Sequence, residues 1–327
     1  MTDHKVHKIG VLTSGGDAPG MNAAIRAIVR TATHFGLDVV GFMKGYHGLV
    51  HNEYMELNNR SVSNTVQRGG TLLRSARCQE FRTQEGRQQA AQNLQQLGID
   101  ALLVIGGDGS LRGAHLLADE WSGQIIGLPG TIDNDLAGTD YTIGFFTALD
   151  TALDAIDKLR DTADAIDRVF VVEVMGRMAG FIAQGVGIGG GAEEIIVPEY
   201  KFDIDTVCEH IELARNKGKV SFIIVLAEGA YDGGAMALSQ VLTDKTGIAC
   251  RPCVLGYIQR GGSPAALDRI LATKLGAYSV EAVLHGVNGV MVGLINKELS
   301  LTPLEKTWTE KKPLDAYLEK IQPILAQ

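Results

Sequence analysis

Residues 125–135 read Ile125-Ile126-Gly127-Leu128-Pro129-Gly130-Thr131-Ile132-Asp133-Asn134-Asp135. The first four are apolar and read as a short buried strand, so a threonine hydroxyl and two carboxylates follow where that strand ends. In open α/β sheets, this is the end of a strand at which ligands bind. The alternative is a solvated turn, because Asp and Asn are common in turns.

Other predicted strand ends carry the same kinds of residue. Clusters of Gly, Asp, Glu or Arg follow further strands in this way: Lys8–Thr13 before Ser14–Gly20, Ile99–Ile105 before Gly106–Ser110, Val169–Val174 before Met175–Arg177, and Ser221–Ala227 before Glu228-Gly229. Because the carboxyl ends of parallel strands meet at one edge of a sheet, these clusters are expected to converge. Carboxylates and arginines on a glycine-opened backbone are typical of a site for phosphate and Mg²⁺.

Strands and helices alternate along the chain. The remaining predictions are strands at 38–42 and 290–295, a loop at Gly45–Leu49, and helices at 21–33, 84–97, 111–121, 181–186 and 205–216, with one ending at Arg160 and one starting at Leu267. This alternation predicts an α/β fold with parallel sheets covered by helices on both faces. Residues 150–262 are expected to form a second sheet, and residues 290–295 to return to the first.

Three motifs each have a plain structural alternative. Ser14–Gly20 opens a helix as a phosphate cradle would, but it matches neither a P-loop nor Gly-x-Gly-x-x-Gly, and a tight turn explains it equally well. Asp108 would either ligate Mg²⁺ or cap the following helix, and the glycines on both sides favour the ligand. A basic cluster would either bind anions or form a solvated face paired with Glu80 and Glu85; its members are Arg68, Arg74, Arg77 and Arg82.

Length and charge narrow the class of protein. At 327 residues, the chain is long enough for two domains that share one cleft. The formal net charge of -8 argues against a general affinity for nucleic acid or for an anionic membrane. No apolar run approaches the roughly 18 residues of a membrane span, and the residues before Lys8 lack a signal-peptide core, so a cytoplasmic protein is expected. Cys250 and Cys253 have redox or zinc spacing, but a single such pair favours chance.

Five motifs, in this order, resemble those of bacterial ATP-dependent 6-phosphofructokinase: Leu12–Asn22, Gly106–Ser110, Pro129–Asp135, Met175–Arg177 and Gln259–Pro264. The resemblance runs from Val6 to about Ile295, and only Gly-Gly-Asp-Gly is shared widely, with NAD kinases and lipid kinases. It implies two Rossmann-like three-layer αβα domains with mostly parallel sheets and an active site in the cleft between them. Residues 1–149 with 265–310 would bind ATP, residues 150–264 would bind fructose 6-phosphate, and residues 311–327 would form a C-terminal segment.

The resemblance also implies the reaction, which is transfer of the γ-phosphoryl group of ATP to the 1-hydroxyl of fructose 6-phosphate, the committed step of glycolysis. Asp133 matches the general base, Thr131 and Arg177 match residues that assist it, and Asp108 and Asp135 match residues at Mg²⁺. ATP contacts match Gly16, Arg77, Cys78, Gly107, Asp108, Gly109 and Ser110. Fructose 6-phosphate contacts match Thr131, Ile132, Asp133, Arg168, Met175, Gly176, Arg177, Glu228, Arg251 and Arg260.

Assembly and regulation are implied in the same way. Arg168 matches an arginine that reaches the sugar phosphate from a neighbouring subunit, which implies an oligomer, a homotetramer in bacterial members. The family's effector cleft between subunits takes ADP or phosphoenolpyruvate, and it matches Arg26, Arg30, Arg160, Glu193, Lys217 and Lys219. The chain departs from the family at two places. Tyr257 replaces a histidine on the sugar-phosphate side, and Asn59 replaces an effector-site arginine, with Arg60 beside it.

Three rival functions use parts of the same pattern. Pyrophosphate-dependent phosphofructokinases usually have Asp in place of a glycine of Gly-Gly-Asp-Gly, at the position of Gly109, and Lys before Thr-Ile-Asp, at the position of Gly130. This chain keeps glycine at both positions, which favours ATP. A non-catalytic nucleotide-binding regulatory subunit would have lost the base or the metal residue, whereas Asp133 and Asp108 are both present. The hypothesis of an NAD or lipid kinase would account for Gly-Gly-Asp-Gly but not for the other motifs.

Overall fold

The structure, a computed structural model, describes residues 6–166 and 168–325, with the backbone alone at 164–166. The chain divides into two compact units, Met1–Thr147 with Arg260–Lys312, and Ala148–Gln259 with Pro313–Gln327. Residues 1–5, 167 and 326–327 of the predicted domains lie outside the described residues. The ligands assigned to those domains stay predictions.

The strands of the described residues are, in chain order, β1 (Lys8–Ser14), β2 (Asp38–Phe42), β3 (Tyr54–Leu57), β4 (Ala101–Gly106), β5 (Gln124–Pro129), β6 (Val169–Val174), β7 (Glu194–Ile196), β8 (Phe222–Ala227), β9 (Cys250–Val254), β10 (Val290–Ile295) and β11 (Glu298–Pro303). The helices are α1 (Met21–His34), α2 (Tyr46–His51), α3 (Gln84–Gln96), α4 (Asp108–Leu117), α5 (Phe145–Ile166), α6 (Phe181–Gly189), α7 (Ile204–Asn216), α8 (Gly234–Thr246), α9 (Ala266–Leu284), α10 (Lys306–Thr309) and α11 (Ala316–Leu325).

The first unit contains a sheet with the strand order β11-β10-β5-β4-β1-β2-β3. Its inner strands run parallel, and β3 and β11 are antiparallel edge strands. Every residue of β4 is buried, which is the pattern of a parallel strand covered on both faces. The predicted α/β class and the return of residues 290–295 to the first sheet are both confirmed.

Close packing holds the helices of this unit in place. A Cβ added to Gly276 of α9 would lie 2.7 Å from the carbonyl oxygen of Ala24 in α1, so a glycine permits the close approach of these two helices. Leu94 of α3 and Leu111 of α4 are buried in one cluster with Leu102 of β4. This cluster fixes α4 against the sheet. The glycine loop that begins at Gly106 leads into α4, so it is held in place as well.

The second unit contains a parallel sheet with the strand order β7-β8-β6-β9. Val171 of β6 and Ile224 of β8 are fully buried in its core, together with Ile211 of α7 and Leu238 of α8. The prediction of a second sheet in this part of the chain is confirmed.

Several elements differ from the sequence-based prediction. The loop predicted at Gly45–Leu49 is wrong, because a short helix, α2, begins at Tyr46; its six residues are too few to show helical periodicity. The edge strands β3 and β11 have partly exposed side chains in place of an apolar run, and they were not predicted. Neither α8 nor the full extent of β9 was predicted. Pro252 interrupts the signal of β9, but a proline is tolerated because β9 lies at the edge of its sheet.

The cysteines are all free. Cys250 and Cys253 lie three residues apart on β9, so their side chains point to opposite faces of the strand. The two thiols therefore do not face one another on this strand. In the described part of the chain, no helix combines the length and the apolar character needed to cross a membrane.

Candidate active site

Three loops of the first unit leave the sheet side by side. Ser14 at the end of β1 pairs with Gly106 at the end of β4, which pairs with Pro129 at the end of β5. Adjacent strands lie about 4.8 Å apart, so the loops after these residues begin as close neighbours. The convergence predicted from sequence is confirmed for these three motifs.

The glycines of these loops leave no room for side chains where the loops meet. A Cβ on Gly106 would lie 2.5 Å from Ser110 Oγ and 2.7 Å from the carbonyl oxygen of Ser14. A Cβ on Gly107 would lie 3.3 Å from Cβ of Thr131. Helix α4 begins directly after Gly107, so the unpaired N–H groups and positive dipole end of a helix lie beside the loops, as an anion site requires.

Asp108 is the first residue of α4 and does not cap it. The N-cap is Gly107, and among the described residues no side chain makes the capping hydrogen bond. Instead, Arg112 Nε donates to Asp108 Oδ1 at 2.6 Å. Arg112 lies over the ring of Trp308, 5.5 Å from its centroid, which restrains the guanidinium. Sequence reasoning missed Arg112, although Asp and Arg four residues apart on a helix are a known pairing signal.

The Thr131–Asp135 turn is buried and internally bonded. Asp133 is 2% exposed, and its backbone N–H donates to Thr131 Oγ1 at 3.2 Å. Asn134 adopts a left-handed conformation with φ 53°, and its Oδ1 accepts from the Thr142 N–H at 3.0 Å. These bonds define the direction of the carboxylates on either side of Asn134, so the stretch is not a loosely solvated turn.

Burial and hydrogen bonds also hold the neighbouring basic loop. The buried Asn22 donates through Nδ2 to the carbonyls of Arg68 and Gly69, both at 3.1 Å, and accepts from the Leu72 N–H at 2.6 Å. Arg77 is exposed and makes no ion pair within residues 6–166 and 168–325; Glu80, the partner expected from the alternative of a paired surface, lies 2.8 Å from His51 instead. The predicted ATP-contact residue Cys78 is half-buried and packs against the apolar core.

Tyr46 supports the Gly107–Ser110 turn from α2. Its hydroxyl donates to the carbonyl oxygen of Ser110 at 2.5 Å, and its ring stacks on Phe81 with centroids 3.9 Å apart. Burial raises the pKa of Tyr46, so the hydroxyl stays protonated and able to donate. Sequence reasoning missed Tyr46 because it assigned this stretch to a loop.

Arg260 lies against the first glycine loop. Its Nη1 donates to the carbonyl of Asp17 at 3.2 Å, and a Cβ added to Gly16 would lie 2.5 Å from the same nitrogen. Only 8% of Arg260 is exposed. The structure therefore brings this predicted sugar-phosphate residue next to the predicted nucleotide residue Gly16.

In the second unit, Glu228 fixes the Met175–Arg177 turn. Its Oε1 accepts from the N–H groups of Gly176 at 3.2 Å and Arg177 at 2.7 Å. The buried Gln259, a residue whose role sequence reasoning missed, accepts from the Met175 N–H at 2.8 Å. Arg177 itself is exposed, with a left-handed φ of 54°. Gln259 lies in a 3₁₀ turn, Gly256–Arg260, that also contains Tyr257, which is 84% exposed.

Arg168 and Arg251 lie at the opposite end of this sheet. Arg168 precedes the first residue of β6, and Arg251 pairs with Phe170, the second residue of β6. The whole of β6 separates Arg168 from Met175, which is about 20 Å at ~3.3 Å per residue. The second unit therefore does not bring Arg168 and Arg251 to the turn that carries Arg177.

The predicted effector residues fall into two groups. In the second unit, the buried Glu193 lies 3.6 Å from Arg160 and 2.8 Å from Lys219, and with Lys217 and Lys219 it lines a pocket of about 400 Å³. In the first unit, the half-buried Arg26 and exposed Arg30 lie on α1, and Arg60 is exposed. Arg30 and Asn59 line a pocket of about 480 Å³.

The residues present fit a metal ion that is held partly by the protein and partly by the phosphates of the substrate. Within the described residues, no group of three or more His, Cys, Asp or Glu side chains could hold a metal ion. Mg²⁺ in kinases is usually held by one or two carboxylates together with substrate phosphates, and the predicted residues Asp108 and Asp135 would supply that number.

Comparisons with known proteins show the family of this chain. The family model described as phosphofructokinase matches residues 8–283. ATP-dependent 6-phosphofructokinase 1 of Thermus thermophilus is 54% identical over 98% of this chain and 99% of its own length. The ATP-dependent 6-phosphofructokinase of Clostridium botulinum is 51% identical over the same shares of the two chains. A solved phosphofructokinase from Saccharomyces cerevisiae has a TM-score of 0.89 at 38% identity, covering 98% of this chain and 48% of that chain. The chain belongs to the phosphofructokinase family.

Proposed function

We propose that the protein transfers the γ-phosphoryl group of ATP to the 1-hydroxyl of fructose 6-phosphate, giving fructose 1,6-bisphosphate and ADP. The observation that carries this proposal is the register of Ser14, Gly106 and Pro129, which gathers two glycine loops and the Asp133 turn at one sheet edge. Phosphoryl transfer needs mainly positioning and neutralisation of charge, and such loops supply both.

Asp133 is the general base. Its carboxylate takes the proton of the 1-hydroxyl while that oxygen bonds to the γ-phosphorus, and the bond from the γ-phosphorus to the β,γ-bridging oxygen breaks to release ADP. The bond between Thr131 Oγ1 and the Asp133 N–H supports this role because it fixes the backbone that carries the carboxylate. Arg177 stabilises the negative charge on the transferred group.

Nucleotide binding uses Gly16, Arg77, Cys78 and the turn from Gly107 to Ser110. Mg²⁺ would be held by Asp108 and Asp135 together with the phosphates, and it would neutralise their charge. Gly109 supports ATP over pyrophosphate as the donor, because a Cβ there would meet no atom within 4 Å and the space beside it is open. At Gly130 a Cβ would lie 2.8 Å from Ile105 Cγ2, so a lysine there would not fit without a shift.

Fructose 6-phosphate is bound by Met175, Gly176, Arg177 and Glu228 of the second unit, with Tyr257 and Arg260. Arg168 and Arg251 serve the site of a neighbouring copy, because they lie at the other end of β6 and β9. The protein is therefore a homo-oligomer, a homotetramer as in bacterial members of the family. The basic groups around Glu193, and those near Arg30, bind an anionic effector, ADP or phosphoenolpyruvate.

A coupled assay of fructose 1,6-bisphosphate formation tests the proposal. ATP with Mg²⁺ is expected to support turnover and pyrophosphate is not, and ADP or phosphoenolpyruvate is expected to change the rate at low fructose 6-phosphate. Turnover with pyrophosphate alone would assign the chain to the other donor class. Binding of ATP with no turnover for either donor would indicate a regulatory subunit instead.

A further inference from the structure

Lys312, the last residue of the first unit, reaches the turn that carries the proposed base. Its Nζ donates to Asn134 Oδ1 at 2.9 Å and to the carbonyl oxygen of Asp140 at 2.5 Å. Lys312 is partly buried, whereas its neighbour Lys311 is exposed. The sequence motifs ended before this segment, so nothing in them assigned Lys312 a role.

Asn134 is one of the residues of this turn that Lys312 contacts. It separates Asp133 from Asp135 and adopts a left-handed conformation, which asparagine tolerates better than most other residues. Its Oδ1 accepts from both Lys312 and the Thr142 N–H, and its Nδ2 donates to the Asp140 carbonyl at 3.4 Å. One ammonium group therefore joins the Asn134 amide to the end of the same loop at Asp140.

The segment before Lys312 is anchored to the same loop. The Ala137 N–H donates to the carbonyl oxygen of Thr307 in α10 at 3.2 Å, and Thr307 is fully buried. Lys312 therefore reaches the loop from a segment that is already packed against it.

Burial of an ammonium group is costly for the fold. Desolvation lowers the pKa of Lys312 to about 8, although the carboxylates of Asp140 and Asp135 favour its charged form. An apolar side chain of similar length would avoid this cost, and such replacements are often neutral or stabilising. A replacement of this kind removes the hydrogen bonds of Lys312 to the turn without leaving a buried charge.

We infer that Lys312 is a positioning residue for the phosphoryl-transfer step, holding Asn134 and thereby the directions of Asp133 and Asp135. The inference rests on the proposed role of Asp133 as the base. In this role Lys312 acts on the turn and does not touch the substrate.

Steady-state kinetics of Lys312→Met, Lys312→Arg and the matched control Lys311→Met test this inference. Because a displacement of about 1 Å can cost roughly 10²-fold in rate, kcat of Lys312→Met is expected to fall by about 10- to 100-fold. The KM values for ATP and fructose 6-phosphate are expected to change little. Lys312→Arg, which retains the charge and donors, is expected to recover much of kcat, and Lys311→Met to match the unmodified protein.

Thermal unfolding of the same variants separates positioning from folding. Lys312→Met is expected to unfold within a few degrees of Lys311→Met. A normal kcat in Lys312→Met, a loss that Lys312→Arg does not recover, or a loss seen only as a rise in KM would overturn the inference. Asp133→Asn, measured alongside, tests the base separately: full activity there refutes the proposed role of Asp133, whereas an inactive Asp133→Asn beside a fully active Lys312→Met refutes only the role of Lys312.

Discussion

Among single residues, Asp133 is the one on which the proposed chemistry depends most directly. A general base contributes roughly 10²–10⁴-fold to a rate, so Asp133→Asn is expected to lower kcat by at least that factor. The amide fills the same buried space, and the KM for fructose 6-phosphate is expected to change little. Initial rates at saturating ATP measure both parameters.

The control for this prediction is Asp119→Asn, an exposed residue of the same unit. It is expected to keep full activity. If Asp133→Asn raises KM while kcat survives, Asp133 binds the substrate but does not accept its proton.

Gly109 and Gly106 differ in their surroundings: a side chain at Gly109 would enter open space, whereas a side chain at Gly106 would meet protein atoms. Gly109→Ala adds a methyl group into open space, so the stability of the protein should hold. If ATP occupies that space, overpacking by about 1–3 kcal/mol raises the KM for ATP roughly 5- to 100-fold. Gly106→Ala instead places the methyl group against Ser110 and Ser14 and is expected to lower stability by a similar energy.

Thermal unfolding with and without ATP, together with the KM for ATP, measures both variants. An unchanged KM in Gly109→Ala would show that the nucleotide does not use the space beside this residue.

The site residues that lie within a sequence motif could be predicted from the sequence. Residues that contact the site from distant parts of the chain could not. Asp133, Asp108 and the glycines lie in short runs whose residue types suit phosphate and Mg²⁺. Lys312 and Tyr46 contact the same turns from segments far away in the chain, and only the folded structure shows those contacts. A lone lysine or tyrosine has no spacing signal of its own.

Among the elements, α5 depends on a carboxylate from another helix. Asp268 of α9 is fully buried, and it accepts from the Gly144 N–H at 2.9 Å, the Thr147 N–H at 2.7 Å and Thr147 Oγ1 at 2.6 Å. These donors surround the start of α5, where N–H groups lack partners within the helix. Asp268→Ala would leave them buried and unsatisfied, at a cost of about 1–3 kcal/mol for each.

Urea unfolding is expected to show a clearly lower midpoint for Asp268→Ala than for the unmodified protein. The matched control is Asp154→Ala, which removes an exposed carboxylate on α5 that pairs with Lys158. Surface pairs of that kind contribute about 0–1 kcal/mol, so the control should barely move. Equal midpoints for the two variants would show that Asp268 does not support the start of α5.

Apolar periodicity predicted the elements that build the two sheets, and it missed the short and marginal ones. β2 and β10 have the predicted bounds, because each is a compact apolar run between turn residues. α2 and β11 escaped prediction because six residues show no helical period and because an edge strand exposes its side chains. One of these omissions affected the site, since α2 carries Tyr46.

At the level of the whole molecule, strand polarity separates the predicted sugar-phosphate residues. Met175, Gly176, Arg177 and Glu228 follow the carboxyl ends of β6 and β8, whereas Arg168 and Arg251 lie near the amino ends of β6 and β9. The resemblance already placed Arg168 on a neighbouring subunit, but a sequence carries no distance between residues of separate motifs, so Arg251 was grouped with Met175 and Arg177. The register shows that a single second unit cannot present both sets to one sugar phosphate.

Mixed oligomers of two inactive variants test whether the second set serves a neighbouring copy. Asp133→Asn removes the proposed base and Arg251→Ala removes a proposed sugar-phosphate arginine, so each variant alone is expected to have little activity. In a mixed assembly, a site with Asp133 from one chain and Arg251 from the other is complete. With random exchange of equal amounts, half of the chains keep Asp133, and half of their neighbours keep Arg251. About a quarter of the sites are then complete, so about a quarter of the activity is expected to return.

The matched control mixes Arg251→Ala with Arg168→Ala. Both arginines lie at the same end of one sheet, so a given neighbour would supply both of them, and neither variant can supply the pair. This mixture is therefore expected to stay inactive. Refolding from urea at equal concentrations, followed by the coupled assay, measures both mixtures. If the first mixture gains no activity although native gels show mixed oligomers, Arg251 serves the site of its own chain, and the assignment drawn from strand polarity is wrong.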